Sequence, residues 1–122
     1  MSPAVGPYSP VRRVGDWVIT SGQVGLVTDS SGTPSLAEGG TLPELRQALQ
    51  NLADVLAVEG ATLSDVVKTT VFLLDMSEFA AVNEVWVEHF TENRPTRSAV
   101  AVAALPVGAR IEVEAWAYAP VG

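Results

Sequence analysis

The sequence has no cysteine and only one histidine, His89. The lack of thiols excludes disulfide frameworks and cysteine nucleophiles, and without cysteine a single histidine excludes a zinc site of the usual Cys/His type. We therefore expect no metal site. His89 is interpreted as a structural residue at the edge of a predicted helix.

Positive charge is scarce, since 7 Lys and Arg residues face 14 Asp and Glu residues, for a net charge of −7. Binding to a phosphate backbone depends on cations that displace condensed counterions. The basic residues are few and scattered: Arg12, Arg13, Arg46, Lys68, Arg94, Arg97 and Arg110. Nucleic acid is therefore a poor candidate for a partner.

Long apolar runs are also missing. The longest charge-free stretches, residues 17–28 and 98–109, are shorter than the ~18 apolar residues that a membrane-spanning helix needs. The start of the chain shows no apolar region of a signal peptide. We expect a cytoplasmic protein that does not interact with membranes. Its 122 residues, 48% of them hydrophobic, suffice for one core, so residues 1–122 are predicted to form a single domain.

The first half of the chain predicts a β-hairpin followed by a helix. Residues 11–24 have β character on both sides of a two-residue turn, Gly15-Asp16. Residues 28–40 are rich in Ser, Thr, Gly and Pro and predict a loop. Thr41 and Glu44 match a capping box at the start of a helix that Gly60 ends. The apolar stripe of this helix consists of Leu45, Leu49, Leu52 and Leu56.

The next two elements are a strand and a second helix. Residues 65–74 carry apolar side chains on both faces, which indicates a central strand. The alternation places Val67 and Thr69 on one face and Val66 on the other. Ser77 is the predicted cap of the second helix. Its apolar arc consists of Phe79, Val82, Trp86 and Phe90, and its solvated face of Glu84, Glu88 and Glu92.

Two strands separated by a turn at residues 106–108 end the chain. The first places Arg97 on one face with Ala99, Ala101 and Ala103. The second alternates between a small apolar face (Ile111, Val113, Ala115 and Ala117) and a mixed face (Arg110, Glu112, Glu114, Trp116 and Tyr118). The predicted fold is α+β, a sheet with both helices on one face. The uncovered mixed face suits a subunit interface better than bulk water, so we expect an oligomer.

Several residues have the chemistry of a site, and each keeps a structural alternative. Arg97 suits bidentate capture of a carboxylate, or a surface ion pair. Glu112 and Glu114 share one strand face and suit acid/base work, or an interface. Asn83 lies in the apolar arc of its helix, where its amide contacts substrate or bonds to a loop backbone.

Two further segments offer groups for a ligand. Residues 6–10 form a rigid, Pro-rich start that brings Tyr8 against a pocket, or merely a terminus. Residues 20–23 offer two hydroxyls, including that of Ser21, and a glycine that allows close approach of the backbone.

Taken in order, six segments resemble the RidA (YjgF) family of reactive-intermediate imine deaminases. They are GPYSP at 6–10, TSGQ at 20–23, DVVKTTVFLLDM at 65–76, FAAVNEVW at 79–86, PTRSAVAVAALP at 95–106 and EVEA at 112–115. The match runs from Gly6 to about Tyr118, nearly the whole chain.

The resemblance implies a chorismate-mutase-like fold and a homotrimer with clefts between subunits. It also implies hydrolysis of 2-imino acids and their enamine tautomers, such as 2-aminoacrylate and 2-aminocrotonate, to 2-oxo acids and ammonia, without a cofactor. Arg97 matches the carboxylate-binding arginine of the family and Glu112 the glutamate that holds the attacking water. Tyr8, Ser21, Asn83 and Ala99 match other positions of the cleft.

The sequence departs from the family pattern at three positions. Pro10 stands where glutamine is usual, Trp86 where tyrosine is common, and Ala99 where many active members have cysteine. We expect these differences to affect rate and substrate range more than reaction type. Two alternatives stay open: a non-enzymatic ligand-binding or chaperone-like trimer, and a ribonuclease or translation inhibitor, which the acidic charge disfavours.

Overall fold

The computed structural model describes residues 6–121, so positions 1–5 and 122 of the predicted domain lie outside the described residues. The strands in chain order are β1 (Val11–Val14), β2 (Trp17–Thr20), β3 (Gln23–Val24), β4 (Leu26–Thr28), β5 (Pro34–Leu36), β6 (Val66–Leu73), β7 (Thr96–Ala101) and β8 (Ile111–Tyr118). The two α-helices are α1 (Thr41–Val58) and α2 (Phe79–His89).

The main sheet has the order β1-β2-β8-β6-β7, with β3 also paired to β8. Strand β7 runs parallel to β6, whereas the other pairs are antiparallel, so the sheet is mixed. The predicted hairpin at its edge is confirmed, since Gly15 takes the positive φ of 61° that the first central position of a tight hairpin turn requires. The predicted central strand is confirmed too, because β6 lies between β8 and β7.

Both helices pack on one face of the sheet, as predicted. The four leucines of the α1 stripe are fully buried, and they share one core with Val82, Trp86 and Phe90 of α2. The sheet contributes the small apolar face of β8, with Ile111, Val113, Ala115 and Ala117 also fully buried. Burying each leucine side chain contributes about 1.5–3 kcal/mol, so this interface holds the helices on the sheet.

Both predicted helix caps are wrong. Gly40 occupies the N-cap of α1, the Thr41 hydroxyl donates to Glu78 Oε1 (2.9 Å), and Glu44 Oε1 accepts from the Arg110 amide (2.8 Å). At the second helix, Ser77 lies inside a short 3₁₀ turn that Asp75 caps, with Asp75 Oδ1 2.9 Å from the Ser77 amide nitrogen. At α1, tertiary partners replace the local bonds that the sequence pattern suggests, whereas before α2 the local cap is Asp75 rather than Ser77.

Two predictions of strand faces also need correction. An irregularity in the β6 to β8 pairing between Val66 and Lys68 turns Val66 into the core and leaves Val67 42% exposed. A β-bulge shifts the alternation by one residue, which a strict period of two does not anticipate. At the other edge, β7 ends at Ala101, so Ala103 lies beyond the strand.

The second face of the sheet carries an aromatic cluster that no element of the described chain covers. Trp17, Trp116 and Tyr118 are each 40–45% exposed. Their rings pack edge to face, with Trp17 5.2 Å from Tyr118 and 6.2 Å from Trp116 between centroids. Large aromatic groups grouped on a surface are typical of an interaction face.

Candidate active site

Arg97 projects from the edge strand β7 toward the helices. It pairs with Thr69, which is buried in the core face, and Ala99 follows on the same face beside Val71. The predicted arrangement of an arginine followed by a small side chain is therefore present. The small methyl group of Ala99 leaves the surroundings of the guanidinium uncrowded.

Two aromatic rings of α2 hold the guanidinium in place. Arg97 Cζ lies 5.1 Å from the ring centroid of Phe79 and 5.1 Å from that of Trp86. Such cation–π contacts are worth about 0.5–2 kcal/mol each and orient the group without using its N–H donors. The sequence predicted Phe79 only as a core residue. Its spacing from Trp86, which places both rings on one helix face, was the signal that the two rings contact the same side chain.

Within residues 6–121, Arg97 has no hydrogen-bonding or ion-pair partner, so its planar set of N–H donors remains available. Partial burial lowers the pKa of the guanidinium, but an arginine starts so high that it stays charged near neutral pH. The surface ion pair that the sequence left open for Arg97 is thus not formed among residues 6–121. A positioned, partly buried cation of this kind is suited to an anionic ligand.

Arg97 opens onto a pocket of about 430 Å³ whose described lining consists of Asn83, Trp86, Val87, Arg94, Pro95 and Arg97. Asn83 Oδ1 is buried there and has no hydrogen-bond partner in the described part of the chain. An unpaired buried acceptor costs about 1–3 kcal/mol. A bond from this oxygen to a loop backbone, the structural alternative for Asn83, is thus not formed.

Glu112 lies on the other face of the sheet. It alternates with the buried Ile111 and Val113 on β8 and pairs with Phe72 of β6. A second pocket of about 390 Å³ brings Glu112 and Glu114 together with Tyr8, Ser21 and Gly22 from the first part of the chain and with Pro106 from the turn before β8. Tyr8 and Ser21 are therefore brought to Glu112.

The environment of Glu112 favours its protonated form. Partial burial raises the pKa of this carboxyl, and the negative charge of Glu114 raises it further. Gly22 packs directly over the carboxylate, because a Cβ atom at this position would lie only 2.6 Å from Glu112 Cδ. The glycine of residues 20–23, predicted to allow close approach of the backbone to a ligand, thus allows close approach to Glu112.

Ser21 has a bond of its own within the chain. Its hydroxyl donates to the Ser9 carbonyl (2.6 Å), and its amide donates to the Pro10 carbonyl (2.9 Å). These bonds hold the segment that carries Tyr8 against the connection between β2 and β3, where Ser21 lies. Ser21 therefore positions Tyr8 whether or not its oxygen also contacts a ligand.

Two polar residues support the second pocket from behind: Asn51, which was not singled out in the sequence, and Thr20, whose hydroxyl was predicted to be available to a ligand. The Asn51 amide of α1 donates to the carbonyls of Val24 (3.0 Å) and Leu26 (2.9 Å). Thr20 Oγ1 accepts from the Ala115 amide (3.1 Å), next to the point where β8 changes partner from β2 to β3. The signal for Asn51 was its position within the buried stripe of α1, where an amide requires partners.

The predicted site residues thus form two groups on opposite faces of the sheet. Arg97, Ala99 and Asn83 lie on the helix side, whereas Glu112, Tyr8 and Ser21 lie on the uncovered side. One chain does not bring Arg97 and Glu112 together. His89 belongs to neither group, and its Nδ1 lies 3.1 Å from the Val85 carbonyl oxygen.

No three His, Asp or Glu side chains within residues 6–121 converge as metal ligands would. Neither α-helix of that range combines the length and the apolar character that crossing a membrane demands.

Comparison with known proteins agrees with the resemblance found in the sequence. The chain is 47% identical over 112 residues to the mouse 2-iminobutanoate/2-iminopropanoate deaminase, an alignment covering 92% of this chain and 81% of the relative. The solved RidA from the Antarctic bacterium Psychrobacter sp. PAMC 21119 superimposes with a TM-score of 0.87 at 41% identity, covering 95% and 91% of the two chains. Escherichia coli TdcF, solved with bound serine, superimposes with a TM-score of 0.84 at 35% sequence identity. The match covers 94% of this chain and 90% of the TdcF chain.

The family model described as Endoribonuclease L-PSP matches residues 1–119, nearly the whole sequence. Together with the 47% identity to the mouse deaminase, this match establishes that the chain belongs to the Endoribonuclease L-PSP family, the family also called RidA or YjgF.

Proposed function

We propose that this protein hydrolyses 2-imino acids and their enamine tautomers to 2-oxo acids and ammonia. The observation that carries the proposal is the Arg97 guanidinium, which two rings hold at a pocket while no described side chain uses its donors. Relatives that are 43–47% identical over 92% of the chain are named for this reaction on 2-iminobutanoate and 2-iminopropanoate.

The reaction makes modest demands on the protein. The carbon of a protonated imine is already electrophilic, so water adds to it and one proton of that water passes by way of a base to the nitrogen. The C–N bond then breaks while the new hydroxyl loses its remaining proton, which gives the 2-oxo acid, ammonia and one proton. The protein must hold the substrate carboxylate and place a water against the imine carbon. In this proposal Arg97 binds the carboxylate through two parallel N–H bonds, for which a planar guanidinium is suited.

Glu112 orients and deprotonates the water. A carboxylate with a raised pKa is a stronger proton acceptor than an ordinary glutamate, and general bases work best with a pKa nearer to the working pH. Tyr8 and Ser21 line the same pocket and complete the substrate contacts on this side. The unpaired Asn83 oxygen supplies an acceptor on the Arg97 side for the substrate nitrogen.

A complete site then requires two subunits. In the assembled protein, Arg97 of one subunit lies across a subunit interface from the carboxylate of the partner subunit's Glu112. We include in the proposal the homotrimer and the chorismate-mutase-like arrangement that the family resemblance implies. The placement of Arg97 and Glu112 on opposite faces and the exposed aromatic cluster of Trp17, Trp116 and Tyr118 both support it.

Turnover of an imine formed in the assay tests the proposal. A pyridoxal-phosphate-dependent dehydratase acting on threonine releases 2-aminocrotonate, and we expect this protein to accelerate the appearance of 2-oxobutyrate above the spontaneous rate. Heat-denatured protein is the control. Tight binding of 2-oxobutyrate without any acceleration would favour the ligand-binding alternative and would contradict the proposed reaction.

A further inference from the structure

Arg94 is a second guanidinium at the pocket of Arg97. Its Nε donates to the Phe90 carbonyl (3.1 Å) at the end of α2, which fixes the base of the side chain. The terminal nitrogens form no hydrogen bond or ion pair with any of residues 6–121. Arg94 therefore presents a fixed charge whose outer donors are available to a ligand.

The charge of this pocket is opposite to that of the protein. The chain has a net charge of −7, yet two of its 7 basic residues line this one pocket, and none of the described lining residues is acidic. Two guanidinium groups in the same pocket repel each other unless a ligand neutralises them. A pocket with this balance favours a ligand with two negative charges over one with a single charge.

The spacing and the volume also suit a ligand with two anionic ends. Three residues of extended chain span at most about 11 Å, so the long side chains of Arg94 and Arg97, which line the same pocket, reach the two ends of one small molecule. The pocket of about 430 Å³ falls within the range of sites that hold drug-sized ligands, which exceeds what a four-carbon imino acid fills.

We propose that Arg94 forms a second carboxylate subsite and that the preferred substrates are 2-imino dicarboxylic acids of four or five carbons. This inference rests on the proposed function. Arg97 binds the carboxylate next to the imine carbon, and Arg94 binds the distal one. Water adds to the imine carbon and ammonia leaves as before, while the distal carboxylate is unchanged.

Paired substrates test the inference. An amino-acid oxidase acting on 2-aminobutyrate supplies 2-iminobutanoate, and one acting on glutamate supplies the five-carbon imino dicarboxylate. We expect a higher kcat/KM for the dicarboxylate. Arg94→Gln lowers that value by about 10- to 100-fold, the loss expected for a hydrogen-bonded charge pair, and lowers kcat/KM for 2-iminobutanoate much less, because this substrate has no distal carboxylate.

Arg46→Gln is the matched control, because it makes the same change of charge on α1, where Arg46 pairs with Glu88 at the surface (3.3 Å). We expect no effect of this control on either substrate. If Arg94→Gln turns over both imines like the parent, the inference is overturned while the proposed function stands.

Binding of stable 2-oxo acids separates failure of the inference from failure of the proposed reaction. Calorimetry with 2-oxoglutarate and 2-oxobutyrate requires no turnover. We expect tighter binding of 2-oxoglutarate, with the advantage lost in Arg94→Gln. Absence of turnover on every imine would refute the proposed function, and equal binding of the two oxo acids by the parent protein would refute the dicarboxylate subsite.

Discussion

Replacing Arg97 with lysine separates positive charge from guanidinium geometry at the candidate site. Lysine keeps the charge but replaces a planar set of donors with a mobile ammonium group. Arg97 Cζ lies 5.1 Å from the centroids of both Phe79 and Trp86, and the residue forms no hydrogen bond within residues 6–121. The substitution therefore removes ligand contacts without breaking a polar contact of the fold.

The size of the effect follows from these contacts. Losing one of two charge-assisted hydrogen bonds to the substrate carboxylate costs about 1.5–3 kcal/mol. Poorer stacking on the two rings costs about 0.5–1 kcal/mol for each ring, but the rings contact Arg97 in the free protein too, so this loss falls on the stability of the fold. The lost hydrogen bond to the substrate by itself corresponds to a decrease of about 10- to 100-fold in kcat/KM.

Steady-state kinetics on 2-aminocrotonate generated in the assay measures this decrease. Arg46→Lys is the control. Both variants should keep the molar mass of the parent protein, and only Arg97→Lys should lower the melting temperature, because it alone loses stacking on Phe79 and Trp86. An Arg97→Lys variant that assembles normally and has the kcat/KM of the parent would refute the assignment of Arg97 as the carboxylate anchor. The rings would then be packing an arginine of no catalytic importance.

Further substitutions test the other parts of the site. Glu112→Gln should lower kcat more than it raises KM, and the parent's kcat should fall as pH decreases through the raised pKa of Glu112, since the protonated form accepts no proton. The raised pKa means that ionisation of this carboxyl is unfavourable in the folded state. At pH values above this pKa, Glu112→Gln should therefore raise the melting temperature, whereas at pH 3 it should not, and calorimetry measures both. Asn83→Leu removes an unpaired buried acceptor, so activity should fall while the melting temperature does not; a parent-like rate would leave Asn83 a structural role. Trp116→Glu places a charge in the exposed aromatic cluster, and light scattering should show a trimer for the parent and a smaller species for the variant; a parent that remains monomeric at all concentrations would contradict the interfacial site.

Much of the fold was predictable from the sequence because its information is local and periodic. The leucine stripe of α1, the apolar arc of α2 and the alternation along β8 each follow from the geometry of one element. The candidate residues were predictable as chemical types: Arg97 ahead of a small side chain, and Glu112 on the mixed face of its strand. The caps were not, since the Arg110 amide and Glu78 are distant partners that local patterns do not contain.

The sequence by itself determined which side chains carry chemistry and which face of each element is apolar. Only the tertiary structure decided where those side chains meet. The register of β7 against β6 places Arg97 beside the buried Thr69 on the helix side, whereas the register of β8 against β6 places Glu112 beside Phe72 on the opposite face. The stack on Phe79 and Trp86, and the presence of Arg94 at the same pocket, likewise depend on how α2 packs beside β7. The physical reason is that strand pairing and helix packing are long-range, so the chemistry of a residue can be read from its type, while its partners depend on the fold.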